Sequence, residues 1–119
     1  MLAGKMLALA KYKSPRHYFG VGLGTDTGGL GGQPGPRADA ARHPLRYPFL
    51  SYDGKVGFVR ERSGDIVYDL NADGVAHYGL IPDLVADIQQ GNGDTKALPL
   101  LFRSAEAYLE VWQRAVAHR

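Results

Sequence analysis

The fold is decided by residues 18–26, YFGVGLGTD, an aromatic and aliphatic run with interleaved glycines that ends at an aspartate. The run has the length of a buried strand, and glycines inside a strand indicate that another backbone or layer comes close. In the preceding segment Leu2, Met6 and Leu9 recur at helical spacing, which predicts a helix over residues 2–12. A helix followed by a buried strand is half of a βαβ unit.

A long irregular loop follows the predicted strand. Glycine, proline and small polar residues dominate from Thr27 to Pro48. Structureless segments of about twenty residues are uncommon in a compact domain and are usually functional or disordered. Because this loop begins at the end of a strand, it lies where α/β proteins place their sites.

The second half of the chain predicts a small antiparallel meander. Apolar runs cover residues 49–52, 55–59 and 66–70, and turns at Asp53-Gly54 and Ser63-Gly64-Asp65 separate them. An Asp-Gly pair between apolar runs is a strong hairpin signal, because glycine supplies the positive φ that tight turns need.

Two helices complete the predicted elements. Pro82 suits the first turn of a short amphipathic helix that ends near Gly91. The last helix carries one apolar stripe, and we expect that stripe to be a main anchor of the core. The stripe consists of Leu101, Ala105, Tyr108, Leu109, Trp112 and Val116.

These elements predict an α/β or α+β chain in a single domain, residues 1–119. The chain is too short for a closed (β/α)8 barrel, which takes about 250 residues. A barrel interpretation therefore concerns a C-terminal fragment. In that fragment residues 2–47 are the last helix-strand unit with its loop, and residues 48–119 are the meander and the two helices.

Composition excludes several classes of function. The net charge is +2 and the sequence pI is about 9.0, but acids lie between the scattered basic residues, so we expect no nucleic-acid partner. No cysteine is present, so a metal would need His, Asp or Glu ligands. Lys5 interrupts the apolar opening, no signal-peptide cleavage pattern follows it, and no stretch has the ~20 apolar residues of a membrane span. We therefore expect no membrane partner and favour the cytoplasm.

Two motifs are better explained as structure than as sites. Residues 69–74, DLNADG, match the first half of a calcium loop, but the twelfth position is Leu80 instead of a bidentate glutamate. We therefore expect an Asx-type turn there. The glycines of residues 20–24 resemble a dinucleotide fingerprint, but the third glycine is misplaced and no helix is predicted after it.

His77 is the histidine of most interest among the four in the chain, none of which has metal-pair spacing. It lies in the aromatic and glycine-rich stretch 74–80, between two predicted elements. It is a candidate contact for a substrate or an anion. The alternative is a histidine that ties a loop to the core.

Asp26 is the candidate catalytic residue. A carboxylate at the end of a buried strand is costly to desolvate unless a cation or several donors satisfy it. Metal hydrolases use such a carboxylate to bind a divalent ion and to accept a proton from metal-bound water. The alternative is an aspartate that caps the turn formed by Thr27, Gly28 and Gly29.

Residues 22–29, GLGTDTGG, resemble the last-strand segment of the membrane dipeptidase (renal dipeptidase-like) family of amidohydrolases. The stretch 68–83, YDLNADGVAHYGLIPD, and residues 105–109, AEAYL, resemble the tail of bacterial dipeptidase-like amidohydrolases. The resemblance covers most of the chain, but only the segment around Asp26 concerns chemistry.

The resemblance implies a binuclear metal site, commonly zinc, to which this chain contributes only Asp26. It implies a small peptide or amide substrate, and no activity without the remaining barrel segment, so we expect that segment or a homo-oligomer as partner. The family pattern often has an aromatic residue and then Asp or Asn after this aspartate, whereas here Thr27 and Gly28 follow. This departure leaves the substrate class open.

A second hypothesis is a non-enzymatic binding or interaction module. Its Gly-rich loop would contact an anion or a protein through the backbone N–H groups of Gly28 and Gly29, with Arg37 close by in sequence.

Overall fold

The structure is a computed structural model, and it describes residues 5, 8–16, 18–22, 24, 31–91 and 96–117. Its elements are mixed α and β, with short antiparallel hairpins and helices. In chain order they are the 3-10 helix η1 (Ala10–Tyr12), β1 (Phe49–Leu50), β2 (Gly57–Phe58), β3 (Arg62–Ser63), β4 (Ile66–Val67), α1 (Leu70–Asp73), the 3-10 helix η2 (Tyr78–Leu80), α2 (Ile81–Gly91), α3 (Ala97–Phe102) and α4 (Ser104–Ala117).

The chain forms two compact units. Unit 1 combines Met1–Gly24 with Asp94–Arg119, and unit 2 is Thr25–Gly93. The units divide near residues 24 and 94. No described helix is long and apolar enough to cross a membrane.

Unit 2 has an apolar core built from its loop, its first hairpin and its helices. The aromatic rings of Phe49 and Phe58 stack across β1 and β2 with centroids 5.3 Å apart. Leu80 is completely buried. Full burial of such a side chain contributes about 1.5–3 kcal/mol. The buried members of this cluster are Leu45, Phe49, Leu70, Val75, Leu80 and Ala86.

The predicted meander is instead two separate hairpins. In the first, Phe49 of β1 is paired with Phe58 of β2, and in the second, Arg62 of β3 is paired with Val67 of β4. Both pairs are antiparallel. Both predicted turns are confirmed, with positive φ at Gly54 and Gly64. In a meander, the middle strand would pair with a strand on each side. Here β2, which lies in the apolar run 55–59, pairs only with β1, and β3 pairs with β4 in a separate sheet.

Local signals predicted the turn that begins α1 and the position of α2. The Asp69 carboxylate accepts the Asn71 N–H and caps α1, so the Asx-type turn is confirmed. Pro82 lies in the first turn of α2, which ends at Gly91 as predicted. The loop preceding the first hairpin contains neither helix nor strand in its described part, residues 31–48.

The predicted buried strand at the start of unit 1 is not found among residues 18–22 and 24. This segment forms hydrogen bonds to helices instead of to a neighbouring strand. Val21 N–H donates to the Leu100 carbonyl of α3 at 3.1 Å, and Tyr18 N–H donates to the Glu110 carboxylate of α4 at 3.0 Å. A strand requires another strand to pair with, and the described part of unit 1 offers only helices.

Gly20 confirms the expected close approach of another backbone. A Cβ on this residue would lie 2.6 Å from the Arg103 carbonyl oxygen and 2.9 Å from the Ala107 Cβ. The neighbour is the start of α4, which explains why glycine is needed here although no sheet forms.

The last helix is present, but its apolar stripe is not core. Leu101 of α3 is buried, whereas no residue of α4 is. Tyr108 is 73% exposed and Trp112 is 59% exposed, so the expectation that this helix anchors the core is wrong. The N-terminal prediction is only partly covered: Lys5, Ala8 and Leu9 are helical, η1 follows them, and Leu2 and Met6 lie outside the described residues.

Candidate functional site

Three of the five predicted site residues, Asp26, Gly28 and Gly29, lie outside the described part of the chain. The other two, Arg37 and His77, are both in unit 2. The described candidates for the site are therefore polar side chains of unit 2.

Arg37 is held by two carboxylates and a carbonyl group. Its Nε and Nη2 donate to the Asp87 carboxylate at 2.9–3.1 Å, and its Nη1 donates to Asp39 at 2.8 Å. Nη2 also donates to the His43 carbonyl oxygen. The hydrogen bonds to Asp87 raise the pKa of Arg37 above its usual value, and Arg37 in turn lowers the pKa of Asp39. An external anion would have to compete with these two carboxylates.

His77 ties the chain before η2 to the core. Its Nδ1 accepts the Gly79 N–H at 3.0 Å, and its ring lies edge-on to Tyr68 with centroids 4.6 Å apart. A ring nitrogen that accepts a hydrogen bond carries no proton, so in the neutral ring the hydrogen is on Nε2. Nε2 is buried and has no hydrogen-bond partner among the described residues. This geometry matches the alternative in which His77 is a structural histidine.

A buried polar pair lies at the start of α2. The carboxyl group of Asp83 is part of a residue that is only 2% exposed. The Tyr47 hydroxyl donates to Asp83 Oδ1 and accepts the Leu70 N–H at 3.2 Å. Tyr47 therefore links α2 to the first residue of α1. The Arg60 guanidinium lies over the Tyr47 ring, 4.9 Å from its centroid.

Burial controls the electrostatics of this pair. Desolvation raises the pKa of Asp83, its hydrogen bond from Tyr47 opposes the shift, and the negative charges of Glu61 and Asp69 add to it. Desolvation also raises the pKa of the Tyr47 hydroxyl, and Asp83 raises it further. A neighbouring carboxylate behaves differently. Burial pushes the pKa of Asp69 upward, but hydrogen bonds from Asn71 and Arg60 hold it below its usual value.

The calcium-like segment uses its oxygen atoms for internal hydrogen bonds. Asp69 also forms an ion pair with Arg60 at 2.9 Å, and the Asp73 carboxylate accepts the Asp69 N–H at 2.8 Å. Asn71 accepts the Leu45 N–H at 2.7 Å and donates to the Leu45 carbonyl at 3.0 Å, so its amide satisfies both backbone groups of a core residue. Segment 69–74 is thus a structural connector.

The described residues do not fit a metal ion by themselves. No group of three or more His, Asp or Glu side chains among them is arranged to hold one. Zinc sites in proteins take three or four such ligands. The predicted ligand Asp26 supplies at most one of them, so residues elsewhere would have to complete the implied site.

Sequence reasoning missed the Tyr47–Asp83 pair and the role of Asn71. A signal for Asp83 was present, because it follows Leu80 by three positions and precedes Ala86 by three, a spacing that puts it on one helical face with these apolar residues. No comparable signal identifies Asn71, whose partner Leu45 is 26 positions away in sequence.

Comparison of this chain with protein-family models, with curated proteins and with solved structures finds no match in any of the three.

Proposed function

We propose that this chain is the C-terminal segment of a metal-dependent amidohydrolase of the membrane dipeptidase type, to which it contributes Asp26. The observation that carries the proposal is the stretch GLGTDTGG, residues 22–29, which resembles the last-strand segment of those enzymes. In that role Asp26 is one ligand of a divalent metal, most often zinc, and the substrate is a small peptide or amide. The other ligands come from strands outside these 119 residues.

Other residues that the resemblance includes have structural roles in the described part of the chain. Residues 69–80 resemble the family tail, and their polar groups cap helices and satisfy a core backbone. His77 is used in the same way. Asp26 lies outside the described residues, so its role in chemistry is proposed on the sequence resemblance alone.

The segment 18–22 is compatible with this proposal even though it is not a strand. In a barrel, the last strand pairs with the strands on either side of it. This chain contains neither of those neighbours on the barrel interpretation. The proposal therefore expects the segment to become a strand only when the remaining barrel is present.

The second hypothesis, an anion-binding module, receives no comparable support. Arg37 is only partly exposed, and its guanidinium already forms ion pairs with Asp87 and Asp39. Replacing Arg37 is thus expected to weaken unit 2, and phosphate binding should be undetectable by titration calorimetry.

The test is reconstitution with the segment encoded immediately upstream. We expect this chain alone, supplied with zinc, to leave dipeptides and N-acyl amino acids intact, and the reconstituted pair to hydrolyse one of these classes. The variant Asp26→Asn should abolish the activity, because the amide neither neutralises a cation nor accepts a proton in the same way. The matched control is Asp39→Asn, an aspartate of the same loop that is bound to Arg37.

Two results would overturn the proposal. One is an upstream reading frame without a His-x-His or His-x-Asp strand, together with no partner chain that carries one. The other is a reconstituted enzyme in which Asp26→Asn retains the wild-type rate.

A further inference from the structure

Helix α4 presents its apolar side to solvent. Tyr108 is 73% exposed, Leu109 is 46% exposed, Trp112 is 59% exposed and Val116 is 52% exposed. With Ala105, which is also exposed, they form what we call the α4 apolar face. Two aromatic side chains of this kind bury about 150–250 Å² each when covered. Exposed apolar patches of a few hundred square ångströms often have an interaction role.

The opposite side of α4 is the side that contacts its own unit. Ala107 lies against Gly20, Glu110 accepts the Tyr18 N–H, and Arg114 donates to the Arg16 carbonyl. The members of the α4 apolar face Leu109, Trp112 and Val116 each follow one of these residues by two positions, which is about 200° around an α-helix. The side of α4 that carries Ala107, Glu110 and Arg114 thus contacts Arg16, Tyr18 and Gly20, whereas the α4 apolar face is exposed and none of these described contacts reaches it.

The spacing of the α4 apolar face fits another helix. Ala105, Leu109, Trp112 and Val116 are separated by four, three and four positions, the a/d spacing of a helix-helix seam. The face itself carries no charge, and the ion pair between Glu110 and Arg114 is on the other side. A second copy of the same face therefore meets it without bringing like charges together.

We propose that the α4 apolar face is the interface of a homodimer in which two α4 helices pack antiparallel about a two-fold axis. In this arrangement Leu109 packs against Trp112 of the second copy, and Ala105 packs against Val116, so that smaller side chains face larger ones at each end. The symmetry satisfies the self-complementarity that an isologous interface requires. The proposal concerns this chain by itself and does not rest on the hydrolase assignment.

The expected affinity is modest. A single helix face covers on the order of 500 Å² per partner, which places the dimer at the small end of specific interfaces. The dissociation constant is therefore expected in the micromolar range. Dimer and monomer should both be populated at accessible protein concentrations.

The experiment uses the full chain and its single tryptophan, which lies in the proposed interface. Sedimentation velocity from the low micromolar to the several-hundred micromolar range should show a monomer–dimer equilibrium. The Trp112 fluorescence should shift to shorter wavelength over the same concentrations, because the indole becomes buried. Leu109→Glu and Val116→Glu should each weaken the dimer by at least about tenfold, since each buries a charge without a partner.

Val111→Glu is the matched control, because Val111 is 69% exposed on the same helix but is not part of the α4 apolar face. It should leave the dissociation constant unchanged. Circular dichroism confirms that each variant keeps its helices, and Val116, near the end of α4, provides the test if Leu109→Glu unfolds the helix. A chain that stays monomeric with an exposed indole overturns the proposal. A monomer whose indole is already buried also overturns it, because the chain then covers this face itself. Equal weakening by Val111→Glu overturns the assigned face.

Discussion

Asp83 is a carboxylic acid whose residue is 2% exposed, in the first turn of α2. Its burial is tolerated because the Tyr47 hydroxyl donates to it, and the same hydroxyl accepts the Leu70 N–H. Burying a polar group costs little free energy of folding when the group is hydrogen-bonded, and it costs much more when the partner is removed. The contributions of Tyr47 and Asp83 to stability therefore depend on each other.

The first prediction is that Tyr47→Phe lowers the free energy of unfolding by about 1–3 kcal/mol, because it leaves two buried polar groups unpaired. Urea denaturation at neutral pH measures the change. The reference is Tyr12→Phe, which removes the same hydroxyl from a residue that is 68% exposed and should change stability very little. Equal losses in the two variants would show that the Tyr47 hydroxyl is not special.

The second prediction concerns pH. Because burial raises the pKa of Asp83 above 3.8 in the folded state, the folded protein binds more protons than the unfolded chain between the two pKa values. The contribution of Asp83 to stability is then greatest below the unfolded pKa, and it decreases as pH rises through the folded pKa. Glu61 and Asp69, which face this group, act in the same direction.

The comparison of wild type with Asp83→Asn isolates this effect. The wild-type free energy of unfolding, relative to that of the variant, should fall as pH rises from acid to neutral. Denaturation midpoints across that range provide the measurement. A difference that stays constant, or that increases with pH, would contradict a raised pKa for Asp83.

At the scale of elements, the end of α1 depends on a close contact with the loop. Gly74 has φ +66° and follows α1 directly. Its N–H donates to the Leu70 carbonyl, and the next residue, Val75, donates to the Pro34 carbonyl at 3.0 Å. A Cβ on Gly74 would lie 2.2 Å from that same oxygen. At this point the Gly/Pro-rich loop is held against the end of α1.

The third prediction compares two glycines. Gly54→Ala places a side chain at φ +74° in open space, so it should cost only the backbone strain of about 1–2 kcal/mol. Gly74→Ala places a side chain at φ +66° and ψ −152°, a region that essentially only glycine adopts, and it also collides with backbone atoms of Pro34 and Gly35, so it should cost about 1–3 kcal/mol more than Gly54→Ala. Thermal denaturation measures both variants. Equal losses would mean that the loop moves away freely.

At the scale of the whole molecule, dimerisation through the α4 apolar face should increase the stability of the folded chain. A dimer that forms only between folded chains stabilises the folded state more as concentration rises. Unit 1 buries Ala97, Leu98, Leu100 and Leu101 of α3 but nothing of α4, so an added partner would bring a large apolar area out of water.

The fourth prediction is that the Tm of the wild-type chain increases with protein concentration. Leu109→Glu should remove this dependence, because the variant does not associate. Val111→Glu should retain it. Differential scanning calorimetry at several concentrations distinguishes these outcomes, and a wild-type Tm that is independent of concentration would contradict the association.

Local interactions made part of the fold predictable. The turns at Gly54 and Gly64, the cap at Asp69 and the helix that begins around Pro82 each depend on residues within a few positions. The site was less predictable. Arg37 was recognised as a cation near the loop, but its partner Asp87 is 50 positions away, and no local pattern connects the two.

The sequence by itself determined the turns at Gly54 and Gly64, the cap at Asp69 and the helix that ends at Gly91, because capping, glycine conformation and apolar spacing act over a single turn of chain. Only the tertiary structure decided that YFGVG lies along helices, that Asp83 is buried, and which side of α4 contacts the rest of its unit. Burial of a face depends on which distant segment is available to cover it. In unit 1 Arg16, Tyr18 and Gly20 contact the Ala107 side of α4, and Trp112 on the other side is 59% exposed.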